Sequence, residues 1–68
     1  MGRVFDRNLL GDRVRDAREL AGLTQAELAS LSGVTAETIS RMERGLFEPT
    51  ASTLIAVADT LDRDLDYL

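Results

Sequence analysis

Between Thr24 and Gly45 the chain, TQAELASLSGVTAETISRMERG, has room for two short helices and a tight turn. Thr24 is a good N-cap, and Glu27 stands three residues on, so Thr24-Gln25-Ala26-Glu27 forms a capping box. Leu28, Ala29 and Leu31 follow as an apolar face at helical spacing. Gly33 then stops the helix, because glycine enters the left-handed backbone region without a Cβ clash. Val34 is expected as a buried plug in the turn, and Thr35 as a second N-cap. A second helix is predicted from Ala36 to Arg44, with Ile39 and Met42 inward, Glu37, Ser40, Arg41 and Arg44 outward, and Gly45 as its stop. Two helices this short cannot bury their own apolar faces, so the rest of the chain must cover them.

The flanking sequence supplies such cover. Leu10, Val14, Ala17 and Ala21 repeat at helical spacing and predict a helix from Leu9 or Leu10 to Ala21, ended by Gly22 with Leu23 behind it. Residues 1–7 read as an N-terminal arm. Leu46-Phe47-Glu48-Pro49 reads as a loop, because proline disfavours a helical residue before it. Thr50 caps a further helix from Ala51 to Leu61, with Leu54, Ala58 and Leu61 in one stripe broadened by Ile55 and Val57. Leu65, Tyr67 and Leu68 would share a last short turn. The expectation is an all-α fold: a compact bundle of four to five short helices forming a single domain over residues 1–68.

Composition narrows the chemistry. The chain of 68 residues has no cysteine and no histidine, so neither disulfides nor thiolate or imidazole ligands can staple so small a core. Lysine is absent too, so histidine, cysteine and lysine are all missing for nucleophilic or general-base work near neutral pH; the acids are scattered singly along exposed helix faces, and an enzyme is not expected. Asp62, Asp64 and Asp66 lack the glycine turn and closing glutamate of a calcium loop and read as a solvated acidic patch with Asp59, so no metal or other cofactor is expected. The longest apolar run, Leu54 to Ala58, falls far short of the ~20 residues that span a bilayer, and no leader opens the chain. A cytoplasmic protein with no membrane partner is the expectation.

The residues Gly22-Leu23-Thr24-Gln25, Glu27-Leu28-Ala29, Gly33-Val34-Thr35, Ile39-Ser40, Glu43-Arg44-Gly45 and Pro49 together resemble the helix-turn-helix of the lambda-type phage repressors and their Cro-like (XRE) relatives. The resemblance runs from about residue 10 to residue 68. It implies a lambda repressor-like fold, a DNA-binding transcriptional regulator, and double-stranded DNA as partner. The second helix of the motif would lie in the major groove, with Thr35, Ala36, Glu37, Ser40 and Arg41 facing bases. Arg41 can fork onto guanine O6 and N7, Glu37 can accept from cytosine N4, and Ala36 can touch a thymine methyl. Gln25, Thr38 and Arg44 would contact phosphates. The resemblance also implies an ion pair between Arg18 and Glu43.

Two features stand against a simple DNA-binding reading. The net charge is −4, although Arg3, Arg7, Arg13, Arg15, Arg18 and Arg41 carry six of the eight positive charges away from the acidic C-terminal end. And where relatives often carry lysine or arginine after the glycine, this chain has Leu46, Phe47 and Glu48. An alternative is therefore a protein-interaction module on the same fold, such as an antitoxin or assembly partner, with Leu46 and Phe47 as exposed anchors. A homodimer, or a chain whose natural partner supplies a second domain, is expected, with Leu54, Leu65, Tyr67 and Leu68 at the interface. No ligand-sensing segment for a small molecule is visible.

Overall fold

The structure, a computed structural model, describes residues 6–62. Four helices follow one another within it: α1 (Arg7–Leu20), α2 (Gln25–Ser32), α3 (Ala36–Glu43) and α4 (Ala51–Thr60). Every N-terminus is capped by an oxygen side chain: Asp6, Thr24, Thr35 and Thr50. The capping box at Thr24 is complete, with the Glu27 N–H donating to Thr24 Oγ1 (3.0 Å) and the Thr24 N–H to Glu27 Oε1 (2.8 Å). Such a cap contributes about 0.5–2 kcal/mol, which is considerable for helices of eight residues. Gly33 takes the left-handed conformation (φ 75°), and the Val34 N–H reaches back to the Ala29 carbonyl, closing α2 and turning the chain into α3.

The core is aliphatic. Leu10, Val14 and Ala17 of α1, Leu28 and Ala29 of α2, Ile39 and Met42 of α3, and Val57 and Leu61 at the end of α4 are buried together. Leu23, Val34, Phe47 and Leu54 pack partly buried around them. α3 packs against both α1 and α2, and α4 packs against α2. α1 comes close to α3 at Gly11, where a Cβ would lie 2.6 Å from the Met42 and Glu43 carbonyl oxygens. Only glycine lets the two backbones meet so closely there.

Several sequence expectations change. Helix α1 starts at Arg7, not at Leu9 or Leu10, because the Asp6 carboxylate accepts from the Asn8 and Leu9 N–H groups and draws arm residues into the first turn. Ala21 is exposed, since it falls past the last turn of α1, where the chain is already leaving the helix. Leu31 is 66 % exposed. The inward row of α2 runs instead from Leu28 to Ser32, whose Oγ donates to Thr60 Oγ1 of α4 (2.9 Å). Val34 is half-buried rather than a closed plug. The expected arm residues 1–5 and the last turn with Leu65, Tyr67 and Leu68 lie outside the described residues, as do Asp64 and Asp66. Among the described residues no helix is long and apolar enough to cross a membrane.

Candidate nucleic-acid interface

The inward side of α3 is fixed by apolar burial and by one charge cluster. Ile39 and Met42 are fully buried, and Glu43 is the one buried charged residue among those described. Its carboxylate takes two bonds from Arg18 of α1, from Nε to Oε2 (2.6 Å) and from Nη2 to Oε1 (3.1 Å). Gln25, the first residue of α2, adds a third bond from Nε2 to Oε1 (3.0 Å). Arg18 Nη1 donates onward to the Leu23 carbonyl (2.9 Å). Three helices thus meet at one carboxylate, with Arg18 tying in the turn, and among the described residues no buried side-chain polar atom is left without a partner. The hydrogen bond to Glu43 raises the Arg18 guanidinium above its ordinary value, outweighing the desolvation that lowers it, while the charges of Glu43 and Glu19 add to the rise. A raised cation contributes stability at every pH below that of the unfolded guanidinium and loses it only as pH climbs through the folded value, so this contribution is constant across the working range.

The outward side of α3 is set by the same helical geometry. Ala36, Glu37, Ser40, Arg41 and Arg44 recur at steps of one, three and four, which puts them on one face opposite Ile39 and Met42. Thr35, Ala36, Glu37 and Arg41 are exposed, and Ser40 is half-buried. The face is held in register by its cap: Thr35 Oγ1 accepts from the Thr38 N–H (3.1 Å) and pairs with Thr38 Oγ1 (2.9 Å). Thr38 is half-buried on the flank of this face, and Arg44, at the C-cap, turns its Nε back to the Ser40 carbonyl (3.4 Å). Arg41 lies 3.9 Å from the Glu37 carboxylate and over the Phe47 ring, 5.9 Å from its centroid.

The remaining sequence candidates fall apart from this face. Gln25 Nε2 gives one N–H to Glu43, which leaves its second N–H and the backbone N–H groups at the start of α2 as the donors for a phosphate there. Leu54 packs partly against this chain's own core, and Ile55, 46 % exposed, is the large apolar side chain that α4 leaves at the surface. Of the two loop residues read as exposed anchors, only Leu46 is exposed; Phe47 is half-buried against the core. Sequence reasoning did not anticipate Phe47 beneath Arg41, because the two are separated by the turn at Gly45, and helical periodicity does not extend past a turn. Among the described residues no group of three or more potential ligands from His, Cys, Asp and Glu is placed to hold a metal.

The chain resembles known proteins over most of its length. It is 37 % identical over 60 residues to repressor protein C2 of Salmonella phage P22, covering 88 % of this chain and 28 % of that protein. It is 34 % identical over 59 residues to the HTH-type transcriptional regulator ImmR of Bacillus subtilis, covering 87 % of this chain and 46 % of that one. The chain therefore spans between about a quarter and a half of the length of these relatives. Among solved structures, the restriction-modification controller protein C.AhdI of Aeromonas hydrophila superposes with a TM-score of 0.87 at 31 % identity, over 91 % of this chain and 90 % of that one. The P22 c2 repressor, crystallised with a synthetic operator, superposes with a TM-score of 0.82 at 34 % identity, over 85 % and 88 %. The family model described as helix-turn-helix matches residues 14–68, and with the fold just described the chain belongs to the lambda repressor-like, Cro-type helix-turn-helix family.

Proposed function

We propose that the chain binds double-stranded DNA sequence-specifically, with α3 in the major groove, and acts as a cytoplasmic transcriptional regulator rather than an enzyme. The observation that carries this is the division of α3. Its inner residues are buried, and Glu43 is tied to Arg18 and Gln25, whereas Thr35, Ala36 and Glu37 are exposed at its N-terminal end and Arg41 follows one turn further along the same outer face. That is the part of a recognition helix which meets base edges. The likeness to a repressor crystallised with its operator supports the same docking. Thr35, Ala36, Glu37, Ser40 and Arg41 are the proposed base-reading set. Thr38, Arg44, and Gln25 with the first N–H groups of α2 are the proposed phosphate contacts.

The loop after α3 offers no basic clamp, and Leu46 and Glu48 are exposed there. One copy should therefore bind weakly, and two copies on half-sites about 34 Å apart supply the rest. Exposed Ile55 on α4 supports a second copy. Sedimentation equilibrium at tens of micromolar that returns only the 7.5 kDa species would count against the dimer.

The same exposed Leu46 favours the second reading, a protein-interaction module. Selection from a random duplex pool, followed by titration of the selected and a scrambled duplex at one salt concentration, separates the two. Under the DNA reading Arg41→Ala costs about 1–3 kcal/mol on the selected duplex and relaxes preference at one base pair. An unchanged ratio between the two duplexes would remove Arg41 from the reading set, and no duplex binding at low salt would leave the interaction module.

A further inference from the structure

Arg41 does not stand alone on the outer face of α3. The Phe47 ring lies beneath its guanidinium, at 5.9 Å from ring centroid to guanidinium carbon, inside the ~6 Å reach of a cation–π contact. Phe47 follows the turn at Gly45 and is seated half-buried against the core, so the ring is a platform fixed by the fold. Thr38, Arg41 and Phe47 line one shallow, open depression at the side of the helix. Among the described residues the charged group beside Arg41 is the exposed Glu37 carboxylate at 3.9 Å, the outer limit of an ion pair. Of the two neighbours, the ring is anchored and the acid is not.

We propose that Phe47 is a positioning residue for base recognition: its ring holds the Arg41 guanidinium at the outer face of α3 before DNA arrives. This rests on the reading of α3 as the base-reading helix. An arginine gives up much side-chain freedom when it forks onto guanine, and a guanidinium already restrained over a ring gives up less. The placement also accounts for the loop. Where a basic residue would grip phosphate without regard to sequence, this chain puts an aromatic side chain that acts through the base reader. The trade favours discrimination over raw affinity: phosphate contacts position a protein on any duplex, and base contacts distinguish among duplexes.

The test uses the full 68-residue chain with Phe47→Leu, which keeps an apolar side chain against the core, and Phe47→Tyr, which keeps the ring. Each is also made in an Arg41→Ala background, and thermal melts confirm that every variant folds. In the DNA-free protein, the Arg41 δ-methylene and Nε–H proton resonances should show an upfield ring-current shift that Phe47→Leu abolishes and Phe47→Tyr retains. On the selected duplex, Phe47→Leu should lower the specificity ratio about two- to fivefold, the size of an exposed cation–π contact. Scrambled-duplex affinity should not move, Phe47→Tyr should restore the ratio, and Phe47→Leu should have no further effect once Arg41 is alanine. An absent ring-current shift overturns the stacking. Equal losses on both duplexes, or a loss that persists without Arg41, would make Phe47 merely structural. A wild-type chain with no duplex preference overturns the reading of α3 and the positioning role with it. A wild-type preference that Phe47→Leu leaves intact overturns the positioning role alone.

Discussion

Helix α3 carries two glutamate–arginine pairs that differ in nearly every respect except their chemistry. At its C-terminal end Glu43 meets Arg18 through two bonds of 2.6 and 3.1 Å, with side chains 4 % and 13 % exposed. Near its N-terminal end Glu37 faces Arg41 at 3.9 Å, with side chains 78 % and 50 % exposed. The first pair joins elements 25 residues apart in sequence; the second joins neighbours on one helical face. Water decides the difference. Out of water each charge needs its partner, and geometry closes around the pair; in water the attraction is screened and both groups remain available. One helix can therefore be clamped at one end and open for contact along the other.

The clearest way to break this contrast is to remove the two acids separately. Glu43→Ala leaves the Arg18 guanidinium largely buried without its acid and frees the Gln25 amide, and should cost about 3–5 kcal/mol. Glu37→Ala should stay within about 0.5 kcal/mol of wild type. Urea denaturation midpoints measure both, and equal midpoints would show that burial does not distinguish the pairs. Next in size is Gly11→Ala, which presses a methyl group against the Met42 and Glu43 carbonyls. Overpacking costs about 1–3 kcal/mol, offset by up to about 1 kcal/mol of better helix propensity. A net loss of about 2 kcal/mol is expected, because the atoms in the way are backbone and cannot swing aside. A more stable Gly11→Ala would show that α1 and α3 are not held this close.

Much of this was legible in the sequence where the signal was local. The capping box at Thr24, the stop at Gly33 and the alternation of inward Ile39 and Met42 with outward Glu37 and Arg41 all lie within one or two helical turns. Longer-range features were not. The Arg18–Glu43 pair was expected only from the family resemblance, since no spacing rule links residues so far apart. Asp6 has no Glu or Gln three residues on, so its cap lacks the confirming half of a capping box, and the apolar spacing alone places the start of α1 at Leu9 or Leu10. Leu31 outranked Ser32 on hydropathy, yet Ser32 faces inward because a hydroxyl on α4 was there to pair with it. Gly11 carries no signal at helical spacing, because what requires a glycine there is the α3 backbone that the fold brings beside it.

Gln25 sharpens the comparison from the buried side. It adds a third bond to a carboxylate already held by two, so Gln25→Ala should cost only about 0.5–1.5 kcal/mol, well under the effect of removing Glu43. If the second N–H of its amide holds a phosphate as proposed, Gln25→Ala should also weaken every duplex by the same factor and leave the preferred sequence unchanged, because phosphates carry no sequence. A change in preferred sequence on Gln25→Ala would mean that the clamp and the reading face are coupled.

Glu37 gives the smallest stability effect and the most direct test of the open end. It stands in the first turn of α3, where the helix dipole favours a negative charge, so Glu37→Gln loses a little there and in the loose contact with Arg41. Those losses total a few tenths of a kcal/mol at this exposure, near the limit of a denaturation curve. Binding should respond in the opposite direction. A carboxylate on the groove-facing side repels phosphate and competes with DNA for Arg41, so removing its charge should raise affinity for every duplex. If Glu37 also accepts from a cytosine amino group, the gain should be smaller on the selected duplex than on the scrambled one, and the specificity ratio should fall. Paired titrations at several salt concentrations separate the two effects, since charge repulsion fades with salt and a base contact does not. An affinity unchanged on both duplexes at low salt would show that Glu37 does not face DNA, and the open end of α3 would then have to be redrawn around Ala36 and Ser40.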